Sequence, residues 1–289
     1  MAHIPVLQNE ASEYLAPKPN DNFIDCTVDG GGHSRAILER TEPEGKVLGI
    51  EADTELYQEV KSGAPKRLIL VNDNFVNLKE IVKREKFKQV QGILFDLGMS
   101  SWHLEESGRG FSFLKKEPLD MRYSTGNPLT AEKILNYWSG SEIERILREY
   151  GEERFSGRIS QEVIKERNIR PITDTSQLIE IIKRAVPQKF QHQRIHFATR
   201  VFQALRIAVN DELNNLKKAL PQTIEILGSG GRMVVISFHS LEDRIFKNFL
   251  KEKGQELKIL TKKPIGPSFK EIKINPRARS AKLRAAEKI

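Results

Sequence analysis

Residues 22–34 (NFIDCTVDGGGHS) pass from an apolar run into three consecutive glycines and then into polar residues. Residues 22–28 read as a buried strand, and 32–39 as a helix that starts at the glycines. Working outward, the same alternation repeats. Residues 46–51 (KVLGIE), 68–72 and 91–97 (QGILFDL) read as further strands, with helices expected over 54–61 and 76–84. Alternation at this spacing predicts an α/β domain with a parallel sheet and helices on both faces.

The alternation stops after the fourth strand. Residues 98–127 are rich in Gly, Ser and charge and carry no period. From 130 to about 206 the pattern is helical, with apolar residues three and four apart over 131–138, 142–150 and 154–167. Thr173 or Thr175 is expected to cap a helix that runs through Lys183 and ends by Pro187. A long amphipathic helix is expected over 211–227, broken by Gly230-Gly231. A strand follows at 232–238 (RMVVISF), then a helix at 241–253. Two last strands are expected at 256–262 and 282–287, joined by a loop around 264–276. The expected organisation is a split α/β domain, 1–105 and 207–289, around an all-helical insert, 106–206.

The chain has 289 residues, 38% hydrophobic and 30% charged, enough apolar mass for a sizeable core. No apolar run reaches the length of a membrane helix, and residues 1–10 do not have the pattern of a secretory signal. Cys26 is the single cysteine, which excludes an intramolecular disulfide framework and fits a reducing, cytoplasmic setting. The net charge of +8 is localised. Residues 1–250 carry 35 Lys and Arg against 35 Asp and Glu, whereas 251–289 carry 12 against 4. A basic segment on a neutral body points to a polyanion.

Three segments carry chemistry. In 25–34, glycines between a strand and a helix let a ligand approach the backbone, and Glu51 ends the next strand 19 residues after Gly32, where a carboxylate can accept from ribose hydroxyls. A dinucleotide or S-adenosylmethionine would satisfy this pattern, but the strict G-x-G-x-x-G is absent. In 95–101, Asp96 ends the fourth strand and is expected in the same crevice as Gly31 and Glu51. In 237–244, Ser240 with Asp243 resembles a helix cap, which places His239 at the rim of that crevice. His192 and His196 are four residues apart, but without a third ligand they point to no metal.

Together Asp29-Gly-Gly-Gly-His-Ser34, Asp96-Leu-Gly-Met-Ser-Ser101, Arg109-Gly-Phe-Ser-Phe113, Leu119-Asp-Met-Arg122, Tyr150-Gly-Glu-Glu-Arg-Phe155, Thr199-Arg-Val-Phe-Gln-Ala-Leu-Arg206, Ser237-Phe-His-Ser-Leu-Glu-Asp-Arg244 and Asn275-Pro-Arg-Ala-Arg-Ser280 closely resemble the bacterial 16S rRNA (cytosine-N4)-methyltransferase H family, RsmH, formerly MraW. The resemblance covers nearly the whole chain. It implies a class I, Rossmann-like S-adenosylmethionine-dependent methyltransferase with an inserted helical rRNA-recognition domain. The implied reaction is methylation of N4 of a cytidine in the decoding region, at the P site, of 16S rRNA in the small ribosomal subunit. S-adenosyl-L-homocysteine is the product, and no metal is expected.

The family's cofactor contacts map onto Gly31, Gly32, His33, Glu51, Phe75, Asp96 and His103. Glu51 stands where the family commonly has Asp, His103 where it commonly has Gln, and Asp29 where it often has Gly. Asp96 is expected to accept from the substrate amine, with Ser100 and Ser101 on the substrate side. Arg200, Arg206, His239, Arg277 and Arg279 are the expected RNA contacts.

The chemistry narrows the choice independently. C5 methylation of a pyrimidine calls for a cysteine nucleophile, and Cys26 precedes the glycine loop, badly placed for that role. An exocyclic amine needs acceptors for its N–H groups and alignment with the methyl donor. A DNA amine methyltransferase would carry a Pro-Pro-aromatic run where Leu97-Gly98-Met99 stands. The glycine loop with Glu51 argues against a cofactor-free RNA-binding assembly factor, and the glycine spacing against a nicotinamide dehydrogenase.

Overall fold

The structure is a computed structural model that describes residues 5–289. The chain divides into two units, Met1–Ser100 with Leu213–Ile289, and Ser101–Glu212. In chain order the first unit begins with α1 (Gln8–Leu15), β1 (Asn22–Asp25), α2 (Gly32–Arg40), β2 (Val47–Glu51), α3 (Thr54–Ser62), β3 (Leu68–Asn72), α4 (Leu78–Arg84) and β4 (Val90–Asp96). The second holds α5 (Ser101–Glu105), α6 (Ala131–Tyr137), α7 (Gly140–Glu149), α8 (Ser156–Arg167), α9 (Thr175–Ala185) and α10 (Thr199–Asn210). The first unit resumes at Leu213 with α11 (Glu212–Ile226), followed by β5 (Leu227–Ser237), α12 (Ser240–Glu252), β6 (Leu257–Ile259), α13 (Phe269–Ile274) and β7 (Lys282–Lys288).

The first unit is α/β. Its seven strands lie in the order β3-β2-β1-β4-β5-β7-β6. The first five are parallel, and β7 runs antiparallel to both of its neighbours. Side chains alternate between two cores. Ile24, Leu48, Ile93 and Val235 meet Leu78 and Ile81 of α4, Leu216 and Leu220 of α11, and Phe246 of α12. Phe23, Val47, Leu94 and Val234 meet Ala11 and Leu15 of α1 and Ile37 of α2 on the other face. Burial on both faces explains why these strands read as continuous apolar runs. The strand order reverses between β1 and β4, so a ligand crevice is expected beyond their carboxyl ends.

The structure departs from the sequence-based expectations in specific places. The unit boundaries fall after Ser100 and Glu212 rather than after 105 and 206. At the first boundary, Trp102 and His103 of α5 pack into an aromatic group of the second unit. At the other, α10 continues to Asn210, whose amide donates to Met121 O at 2.7 Å and accepts from Tyr123 N–H at 2.8 Å. Strand β5 starts at Leu227 and takes in Gly230-Gly231 rather than beginning after them. The extra residues are absorbed by a register shift opposite 90–92, with Gly230 at φ 73°. The helices α1 and α13 were not expected from the sequence.

In the second unit, helix ends are set by side chains. Ser139 with Glu142 and Asp174 with Gln177 form capping boxes at α7 and α9. Asp174 thus takes the role expected of Thr173 or Thr175. The Thr175 hydroxyl donates instead to Lys115 O at 2.6 Å. The unperiodic 98–127 stretch is ordered by arginines. Arg109, 7% exposed, donates to the carbonyls of Arg122 and Tyr123, and Arg122 forks onto Asp120 at 2.7 and 2.8 Å. Among the described residues no helix is long and apolar enough to cross a membrane.

Candidate active site

Strand β1 ends at Asp25, whose buried carboxylate organises the glycine loop. Oδ1 accepts the Thr27 N–H at 3.2 Å, and Oδ2 accepts the Ser34 hydroxyl at 2.6 Å from the first turn of α2. The loop turns through two left-handed residues, Asp29 (φ 48°) and Gly31 (φ 77°). At Gly31 the need for glycine is conformational, since an added Cβ would meet only ordinary contacts, the nearest at 3.5 Å. At Gly32 it is steric. A Cβ there would lie 2.2 Å from Pro5 Cγ, so the bare Cα is used by the protein's own packing.

Glu51 closes the loop from the end of β2. Its Oε2 accepts the Asp29 N–H at 2.9 Å and its Oε1 the Asp53 N–H at 2.8 Å. At the end of β4, the Asp96 N–H donates to Thr27 Oγ1 at 2.6 Å. Asp96 Oδ2 lies 3.4 Å from His33 Nε2, both side chains almost fully buried. That pair is close enough to attract but too poorly aligned for a hydrogen bond, and Asp96 Oδ1 and His33 Nε2 are buried polar atoms without a hydrogen-bond partner. Such orphaned atoms cost free energy unless a ligand completes them. Phe75 follows β3 in a 3-10 turn, edge-on to Phe95 at 5.5 Å.

The electrostatics follow from burying several acids together. Burial pushes Asp25 up to about 6 and Glu51 up to about 8. Asp29 is pushed well above its ordinary value by burial and by the charges of Glu51, Asp96 and Asp25. Burial alone would lower the pKa of His33, but the neighbouring Asp96 carboxylate outweighs it and the net direction is upward. A loop lined this way suits a cationic ligand with hydroxyl donors and opposes a diphosphate. The Cys26 thiol is buried and pushed up by burial and by Asp25, so it is not a ready thiolate.

Gly31, Gly32, His33, Glu51 and Asp96 therefore come together in one unit, which also holds Phe75 in the turn after β3. Asp25 was not singled out from the sequence, although its place at the end of the strand entering the glycine loop was a usable signal. Ser100 and Ser101 fall at the unit boundary, Ser100 buried and Ser101 opening α5. His103 belongs to the second unit, 3% exposed, with ring centroids of Trp102, Phe111 and Tyr123 at 5.4, 5.2 and 5.0 Å.

One expected RNA contact, Arg206, is corrected, and the expected cap at Ser240 is moved to His239. Arg206 is buried and forks onto Glu212 at 2.8 and 2.9 Å, so its guanidinium serves the helical unit's interior. His239, rather than Ser240, is the N-cap of α12. Its Nδ1 accepts the Glu242 N–H at 3.4 Å, and Glu242 accepts in return from the Phe238 and His239 N–H groups. Asp243 instead holds Arg284 at 2.6 Å. The other three arginines are exposed. Arg277 and Arg279 flank buried Ala278 in the 3-10 turn Pro276–Ser280, and Arg200 donates to Glu152 O at 3.1 Å.

Comparison with known proteins adds a family. A model of the MraW methylase family matches residues 1–289. The chain is similar to the ribosomal RNA small subunit methyltransferase H of Heliobacterium mobile, 44% identical with 99% of each chain covered. It is also similar to the proteins of that name from Halothermothrix orenii, 44% identical over 100% of this chain and 99% of that one, and Dictyoglomus thermophilum, 45% identical over 99% and 96%.

Proposed function

Since the chain belongs to the MraW methylase family, we propose that it is an S-adenosylmethionine-dependent methyltransferase that methylates N4 of a cytidine at the P site of 16S rRNA in the small ribosomal subunit. Its relatives' shared name, ribosomal RNA small subunit methyltransferase H, supports the substrate class. The observation that carries the cofactor is the group of buried carboxyls, Asp25, Asp29, Glu51 and Asp96. Acids packed together out of water fit a cofactor that bears a sulfonium and an ammonium group, and Glu51 fits its ribose hydroxyls.

When bound, S-adenosylmethionine supplies an electrophilic methyl group on sulfur. The protein's part is to hold and align. Gly31, Gly32 and His33 border the cofactor, Phe75 offers an aromatic edge, and Glu51 accepts from the ribose. Asp96 Oδ1, which has no hydrogen-bond partner of its own, accepts from the cytosine amine and turns the nitrogen lone pair toward the methyl carbon. Such a transfer would form the N–C bond as the C–S bond breaks, with the electron pair left on sulfur in S-adenosyl-L-homocysteine, and the surplus amine proton would pass to a carboxylate or to water. Proximity and alignment supply much of the rate. A C5 route would need a thiolate, which buried Cys26 does not offer. The helical unit recognises the rRNA with Arg200 on a phosphate, and Arg277 and Arg279 of the α/β unit bind further phosphates.

The deciding experiment is methyl transfer to small subunits from a strain lacking the enzyme, followed by nucleoside analysis. N4-methylcytidine is expected. 5-Methylcytidine, or no methylated nucleoside, would overturn the reading.

A further inference from the structure

The helical unit contains a cavity of about 360 Å³ where residues 153–155 at the start of α8, the end of α9 and the 187–198 segment meet the start of α10. Its volume is at the lower end of small-ligand pockets, enough for a single base with its sugar. Phe155 and Phe190 are half-buried in its wall, ring centroids 5.2 Å apart and tilted 53°. The Arg154 guanidinium lies 5.3 Å from the Phe190 ring and 5.7 Å from the Phe155 ring. Arg194 and Arg200 complete the rim, both exposed. Residues 188–200 carry Lys189, Arg194 and Arg200 and no acid. The acid in the wall, Glu153, is 7% exposed and accepts the Phe155 N–H at 2.8 Å.

We propose that this cavity is an anchoring pocket for one unstacked rRNA nucleotide, distinct from the nucleotide that is methylated. The base stacks on Phe190 and on the guanidinium plane of Arg154, and the adjoining phosphates pair with Arg194 and Arg200. Aromatic and guanidinium faces take any base by stacking, and arginine forks match phosphate oxygens. The pocket thus fixes register without reading sequence, as backbone contacts do. The methylated base needs the carboxyls of the other unit, and the lining here contains none of Asp25, Asp29, Glu51 or Asp96. The inference rests on the rRNA-methylating reading above and adds to it a second nucleotide.

The test uses the full chain and two readouts. The first is anisotropy of a 5′-fluorescein single-stranded RNA hexamer, and the second is KM for small subunits. Phe190→Leu keeps apolar volume and removes the stacking face. It should weaken hexamer binding about tenfold and raise KM in parallel, with S-adenosylmethionine affinity unchanged, while Phe190→Tyr keeps wild-type values. Arg194→Ala, at an exposed position that cannot unfold the protein, should flatten the salt dependence of hexamer binding. Cytidine 5′-monophosphate should compete better than cytidine or inorganic phosphate alone.

Wild-type hexamer affinity and KM in both Phe190→Leu and Arg194→Ala would overturn the pocket while leaving the methyltransferase reading intact. Failure of the wild-type protein to methylate small subunits would sink that reading instead, and hexamer binding would still decide the pocket. An oligo-aspartate peptide that binds with the same dependence on Phe190 would overturn the nucleotide in favour of an acidic protein partner.

Discussion

At the carboxyl ends of β1, β2 and β4, carboxyl groups are packed out of water, whereas Arg154, Arg194 and Arg200 of the helical unit stand in solvent. Both regions are polar, but they obey different electrostatics. In the first, burial and neighbouring acids raise the proton affinity of Asp25, Asp29 and Glu51 and Asp96 Oδ1 has no hydrogen-bond partner, an arrangement that favours a small cation at short range. In the second, charges are screened within about 10 Å at ordinary salt, and aromatic faces add contact that salt does not weaken. On the reading proposed above, the first region places a small molecule and the second grips a polyanion at several points.

The sharpest break of that contrast is at Asp96. Asp96→Ala should lower methyl transfer by about two orders of magnitude or more and leave the fold intact by circular dichroism. Wild-type turnover from a folded variant would remove Asp96 from the chemistry. Next in size is Arg206, which the structure moves from the RNA-facing group to the interior. Arg206→Ala strands the half-buried Glu212 and should cost about 2 kcal/mol in urea unfolding. A flattened salt dependence of RNA binding with unchanged stability would return Arg206 to the RNA surface.

Glu51 gives a pH signature. Its folded value of about 8 lies above the ordinary glutamate value of about 4.3, so the folded cofactor-free protein holds a proton that the unfolded chain releases. The associated stability is complete below about pH 4 and is lost as pH rises toward 8. Asp25 and Asp29 shift in the same direction. The melting temperature without cofactor should therefore fall between pH 5 and 8, and fall less in Glu51→Gln. Ribose donors favour the ionised carboxylate, so S-adenosylmethionine affinity should rise over the same interval in calorimetry. A flat profile in both measurements would contradict the buried-acid account.

The smallest effect is expected at the exposed C-terminal arginines. Arg277→Ala/Arg279→Ala should leave melting temperature and cofactor affinity nearly unchanged. Binding to the small subunit should weaken, and the logarithmic salt slope should drop by somewhat under about one unit per lost phosphate contact. A large loss of stability with an unchanged slope would make these arginines structural.

Much of the first unit was readable from local pattern. Strand β3 occupies Leu68–Asn72 as expected, and Glu51 and Asp96 end β2 and β4, because a strand buried on both faces writes an uninterrupted apolar run. The helix α1 escaped notice because its QNEASEYL sequence buries only Ala11, Ser12 and Leu15, too little apolar signal to stand out. The cap of α12 was read one residue late, since a histidine is an uncommon N-cap and Ser240 next to it is a favoured one.

Apolar periodicity, glycine placement and the residues at strand ends were sufficient to indicate an α/β chain with a helical insert and a ligand loop between Asp25 and Ser34. These are properties of short stretches, set by backbone geometry and by which side chains avoid water. Whether a charge ends up inside or outside is different in kind. Arg206 and Arg200 lie six residues apart in one helix, yet one is buried on Glu212 and the other is exposed. The antiparallel insertion of β7 between β5 and β6, the mutual burial of Asp29 and Glu51, and the aromatic cavity around Phe190 depend likewise on segments distant in the chain. Only tertiary packing settles which groups share a low-dielectric neighbourhood, and with it their charge and their partners.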